Sequence, residues 1–158
     1  MKVNIKKLRP EAVIPQYAHN SDAGLDLVAT SVNYDEFGNT VYGTGIAMEI
    51  PEGHVGLLFP RSSNAKKSLA LTNCVGVVDS NFRGEILMKY KTIFTKVNAL
   101  KLFLGMPRFL KFFHMFEYEV GDRIGQLIIM PYPKVEFEEV DFLYPSDRGE
   151  GGYGSTGR

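Results

Sequence analysis

Glycine and proline interrupt this sequence so often that no long amphipathic helix fits into its first 90 residues. Sixteen glycines and eight prolines separate short apolar runs bounded by turn residues, the pattern of strands joined by tight loops. The runs at 3–8, 41–50, 54–59, 75–78, 85–90, 123–130 and 135–140 are expected as strands. They suit an all-β sandwich or barrel better than a βαβ fold. A short helical turn is expected around 63–68, where Ser-Ser-Asn can cap it. No internal repeat is evident.

One domain accommodates 158 residues, and an apolar share of 44% supports a packed core. Eighteen basic residues balance eighteen acidic ones, which disfavours a general nucleic-acid binder, since that class carries a basic excess. The single cysteine, Cys74, excludes an internal disulfide and favours a reducing compartment. Its apolar surroundings suggest a small core residue. The charged N-terminus lacks the apolar stretch of a signal peptide, and no run approaches the roughly 20 residues that span a bilayer. A soluble, cytoplasmic protein with no membrane contact is expected.

The common phosphate cradle, GxxxxGK[ST], is absent, and His19, His54 and His114 have no metal-ligand spacing, so they are expected as surface or packing residues. What remains is a set of polar residues within apolar β surroundings. Asp26, between Leu25 and Leu27, reads by itself as an outward carboxylate on an alternating strand. Pro60-Arg61-Ser62-Ser63 suits phosphate oxygens, and equally suits a helix cap beside a surface arginine. From Asn73 to Glu85 two apolar arms flank Asp79-Ser80-Asn81, a hairpin signal. Asp79 is there either a turn former or a carboxylate able to take a proton from water. Arg123 and Gln126 interrupt a strand, and the Gly-rich stretch 148–157 has the composition of a mobile terminus.

Five segments, in order, resemble the five motifs of the trimeric dUTPase family in its bacterial form: SDAGLDL (21–27), PRSS (60–63), GVVDSNFRGEI (76–86), GDRIGQLI (121–128) and RGEGGYGSTG (148–157). Together they span nearly the whole chain. The resemblance implies a jelly-roll-like (β-clip) homotrimer that hydrolyses dUTP to dUMP and pyrophosphate with Mg²⁺, keeping uracil out of DNA and supplying dUMP for thymidylate synthesis. It makes Asp79 the general base for water attacking the α-phosphorus, and places Asp26 near the metal through water. Arg61, Ser62, Ser63 and Gln126 fall on phosphate-contacting positions. Asn73, with backbone groups near Val77, Val78 and Leu87, falls on the uracil site. Phe82, where the family usually has tyrosine, would stack under the deoxyribose. Residues 1–145 would form the core and 146–158 a lid exchanged between subunits, with Arg148 on the γ-phosphate, Tyr153 over the uracil, and Ser155 and Thr156 assisting.

Residues 91–117 are longer than the connection usual in that family and interleave five basic residues with six phenylalanines. They are expected as an excursion packed on the trimer's flank, or as a patch for a partner, membrane surface or nucleic acid. Three rival functions stay open: a dCTP deaminase on the same fold, a non-catalytic nucleotide sensor, and an RNA-associated protein using its RGG-like tail.

Overall fold

The structure, a computed structural model, describes residues 1–93 and 117–152. Tyr153, Ser155 and Thr156, His114, and most of the 91–117 segment lie outside the described residues.

The described residues form ten strands and one 3-10 turn: β1 (Asn4–Lys7), β2 (Leu25–Val28), β3 (Ser31–Tyr34), β4 (Thr40–Gly43), β5 (Ile46–Glu49), β6 (His54–Phe59), the turn Ser62–Lys66, β7 (Leu69–Leu71), β8 (Gly76–Val78), β9 (Leu87–Thr92) and β10 (Arg123–Pro131). One antiparallel sheet has the order β2-β10-β6-β8, a second β3-β4-β9-β7, and β1 pairs with β5. The expected all-β architecture is present.

Side-chain alternation builds the core. In β9, Met88 and Tyr90 turn inward while Leu87 and Lys89 face out, the period-two pattern of a half-buried strand. Leu27, Leu58, Val78, Ile124 and Leu127 of the first sheet share one cluster with Leu69, Leu71, Tyr42, Met88 and Tyr90 of the second. Tyr42 packs edge to face against Tyr90 and Tyr118, which are themselves tilted at 60°, with centroids 5.7–5.8 Å apart. Their polar ends are satisfied: Tyr90 Oη donates to Ile124 O at 2.6 Å, and the Tyr118 amide donates to Tyr42 Oη at 3.0 Å. Burial pushes all three phenols above the ordinary tyrosine pKa.

Several expectations are corrected. The run 41–50 is two strands in different sheets, because Gly45 (φ 67°) turns the chain between them. Residues 135–140 form no strand and are exposed; among the described residues they have no neighbouring strand to complete a ladder. The turn after Arg61 starts at Ser62, and its N-cap, Arg61, makes no side-chain capping bond. Cys74 is exposed, with a left-handed φ of 58°, because it turns the chain between β7 and β8 instead of lying in a strand. Finally, 73–87 is no paired hairpin, since β8 and β9 belong to different sheets. Among the described residues no helix is long and apolar enough to cross a membrane.

Candidate active site

The site residues gather into two clusters. The first lies where β2, β10 and β6 run side by side. The ladder sets Gln126 opposite Asp26 on one side and Phe59 on the other, so three strands deliver polar groups to one edge. Asp26 is not a free outward carboxylate. Its Oδ1 accepts from Arg61 Nε and its Oδ2 from Arg123 Nη1, both at 2.9 Å. Arg61 Nη1 also donates to Ser63 Oγ at 3.4 Å, and Gln126 Nε2 to Pro60 O at 3.3 Å. A β-carbon at Gly24 would collide with the Gln126 side chain, so glycine there leaves the amide its room. Two guanidiniums against one carboxylate leave net positive charge on a pre-ordered cluster, which is what polyanionic phosphate requires.

The second cluster is a cleft of about 240 Å³ lined by Asn73, Val77, Val78, Asp79, Phe82 and Leu87, among others. Its walls are open strand edges. Among the described residues β8 is the last strand of its sheet, and β9 is paired with β7 only over residues 90–92, leaving Leu87 and Met88 without a strand partner on that side. Unpaired backbone donors and acceptors along such edges can hydrogen-bond a flat heterocycle as they would another strand. The failed hairpin is therefore what creates the cleft. Asp79 directly follows β8, and the Phe82 amide donates to its carbonyl at 3.1 Å, closing the turn. The Phe82 ring is 43% exposed and lies over Gly84, where a β-carbon would sit 2.6 Å from its Cζ.

The chain therefore brings Asp26, Arg61, Ser63 and Gln126 together, with Ser62 exposed at the start of the 3-10 turn beside them. It brings Asn73, Val77, Val78, Asp79, Phe82 and Leu87 together separately. Arg148 is exposed and donates to Gly151 O at 2.8 Å. His19 is exposed and His54 partly so, as expected. Arg123's tie to Asp26, and Asn64 and Tyr118 beneath the first cluster, were not legible in the sequence. Their contacts join residues 54 to 97 positions apart, and no local pattern announces such pairs.

The dUTPase family model matches residues 10–96 and 113–157. This chain belongs to the dUTPase family. The deoxyuridine 5'-triphosphate nucleotidohydrolase of Rhodococcus erythropolis is 39% identical, over 99% of this chain and 87% of that one. The protein of the same name from Clostridium tetani is 36% identical, over 99% and 97%. Among solved structures, a variant of the Staphylococcus bacteriophage 80alpha dUTPase with dUpNHpp superposes with a TM-score of 0.72 at 28% identity, covering 99% of both chains.

Proposed function

We propose that this chain hydrolyses dUTP to dUMP and pyrophosphate, with Asp79 as the general base, in sites shared between copies of the chain. The observation that carries the reading is a carboxylate at the mouth of a cleft whose walls are unpaired strand edges. Uracil enters as a pseudo-strand, using backbone groups of Val77, Val78 and Leu87 and the Asn73 amide. A heterocycle with a misplaced donor leaves buried groups unpaired and is rejected. Asp79 takes a proton from water as its oxygen bonds to the α-phosphorus, and the bridging bond to the β-phosphate breaks. The negative charge that develops on the leaving pyrophosphate is met by Arg61, Ser62, Ser63 and Gln126.

Strand geometry supports a site shared between copies. In the β6–β8 ladder Gly56 faces Val78, so Asp79 lies level with Val55, while Arg61 follows the opposite end of β6. At about 3.3 Å per residue the two are separated by on the order of 20 Å along the strand. The α- and γ-phosphorus atoms of one triphosphate are far closer together than that. That separation supports a site in which the base of one copy meets the arginine of another, as in a closed homotrimer with three equivalent sites. The exposed apolar arm at 132–144, which includes Phe137 at 97% and Tyr144 at 91% exposure, needs such a neighbour to cover it. Residues 146–158 then serve as the lid, with Arg148, Tyr153, Ser155 and Thr156 closing over the nucleotide.

Mg²⁺ fits the donor set. The described residues hold no cluster of three or more metal-ligating side chains, and Mg²⁺ is commonly held by substrate phosphates, waters and one or two carboxylates. Asp26 spends one acceptor site of each oxygen on an arginine, which leaves capacity for a metal-bound water. When bound with the triphosphate the ion neutralises phosphate charge.

Pyrophosphate release measured with dUTP, dTTP, dCTP and UTP tests the reading. dUTP alone should turn over rapidly, and Asp79→Asn should lower kcat by about 10²- to 10⁴-fold, the usual range for a lost general base. Binding without turnover in the unsubstituted protein would mean a nucleotide sensor instead. Release of ammonia from dCTP would mean a deaminase.

A further inference from the structure

Beneath the phosphate-side cluster sits a buried phenol that the chemistry above does not use. Tyr118 is 4% exposed, and its hydroxyl donates to Asn64 Oδ1 at 3.3 Å. Asn64 belongs to the 3-10 turn that carries Ser62 and Ser63, and its Nδ2 donates onward to Leu69 O at 2.9 Å, fixing the turn against β7. The same phenol lies within reach of Ser63 and Arg61: its pKa is raised by burial, and hydrogen bonding to Ser63 and the Arg61 charge pull it partly back. Tyr118 is itself held on every side. Its amide donates to Tyr42 Oη, its ring packs against Tyr42 and Tyr90, and Lys67 Nζ stands 4.5 Å over the ring centroid while donating to Glu117 O at 2.6 Å.

That arrangement has a consequence for the turn. Ser62–Lys66 buries none of its own residues and has no side-chain cap, so its position is set from outside. A single 3-10 turn with neither cap nor buried face is weakly specified. The rigid element under it is the tyrosine cluster. We propose that Tyr118 is a positioning residue for triphosphate binding, its hydroxyl holding the Ser62–Lys66 turn so that Arg61, Ser62 and Ser63 present a fixed set of donors to the phosphates. The proposal rests on the dUTP reading given above. Tyr118, buried beneath the turn, acts through Asn64.

Tyr118→Phe keeps the ring packing and removes only the hydroxyl. The readout is affinity for dUpNHpp against affinity for deoxyuridine, which carries no phosphate, beside the melting temperature. The expected result is a fall of about fivefold or more in dUpNHpp affinity, the scale of one lost hydrogen bond, with deoxyuridine affinity unchanged. Asn64→Ala removes the acceptor from the other side and should give the same split. The double variant should lose clearly less than the sum of the two single losses, because the Tyr118–Asn64 bond is counted in both, while Asn64→Ala also gives up the bond to Leu69 O. Equal losses for dUpNHpp and deoxyuridine, full dUpNHpp affinity in a folded Tyr118→Phe protein, or additive losses in the double variant would each overturn the proposal. If the unsubstituted protein neither binds dUpNHpp nor hydrolyses dUTP, the functional reading fails first, and the positioning role falls with it.

Discussion

At the scale of single residues, position in the turn decides more than residue type. Cys74 carries a left-handed backbone, which costs a non-glycine residue about 1–2 kcal/mol. That turn sets Asn73 at the rim of the cleft. Gly84 is fixed by its neighbour, since any β-carbon there would push the Phe82 ring from its seat. The obstructing atoms are the free end of an exposed side chain, so the ring would move and the fold would stay. Gly84→Ala is therefore expected to leave the melting temperature within a degree or two of its starting value while raising the UTP-to-dUTP turnover ratio. The size should be about tenfold, the scale of one displaced contact in a pocket, read by parallel pyrophosphate assays. An unchanged ratio would remove Phe82 from sugar recognition.

At the scale of elements, the two sheets are joined through Tyr42, Tyr90 and Tyr118, and this join makes stability sensitive to alkali. All three phenols titrate higher in the fold than their ordinary value near 10. The unfolded chain therefore loses these protons first as pH rises. Their contribution to stability is complete below about pH 10 and declines above it, through the folded-state values. Urea midpoints should hold steady from pH 7 to 9 and fall beyond 10, and Tyr90→Phe should flatten that fall. Asp35 behaves oppositely. Hydrogen bonds from Asn39, and then from Lys89 and Phe37, hold its carboxyl below the usual range. Its support for the β3–β4 connection is present above the ordinary carboxylate pKa and is lost only as pH drops through the depressed one.

At the scale of the whole molecule, the two half-sites at opposite ends of β6 make a sharp prediction. Arg61→Ala and Asp79→Asn proteins should each be inactive alone. Co-assembled from an equal mixture, they should regain about a quarter of full activity, because one in four sites then joins an intact arginine from one copy to an intact aspartate from another. A site contained in one chain would regain nothing. Deleting residues 147–158 should leave a folded assembly by sedimentation and a severely reduced dUTP turnover. Full activity after that deletion would remove the lid from the reaction.

The sequence by itself determined the fold class and the family. Frequent glycine and proline, short alternating runs and five ordered motifs are local signals, readable wherever the responsible residues are neighbours in the chain. Tertiary structure alone decided how those parts combine. The Asn73–Leu87 segment carries every local mark of a hairpin, yet its arms joined different sheets, because Val78 found β6 and Leu87 found β4. The residues assigned to the uracil site do line the cleft, but its open edges exist only because those arms do not pair. Residues 135–140 alternate like a strand but have no ladder among the described residues, since strand formation needs a partner edge that the pattern cannot supply. Asp26 gained two arginines, and Asn64 gained a phenol 54 residues away. Contacts of that span are fixed by strand order and register, which no window of sequence contains.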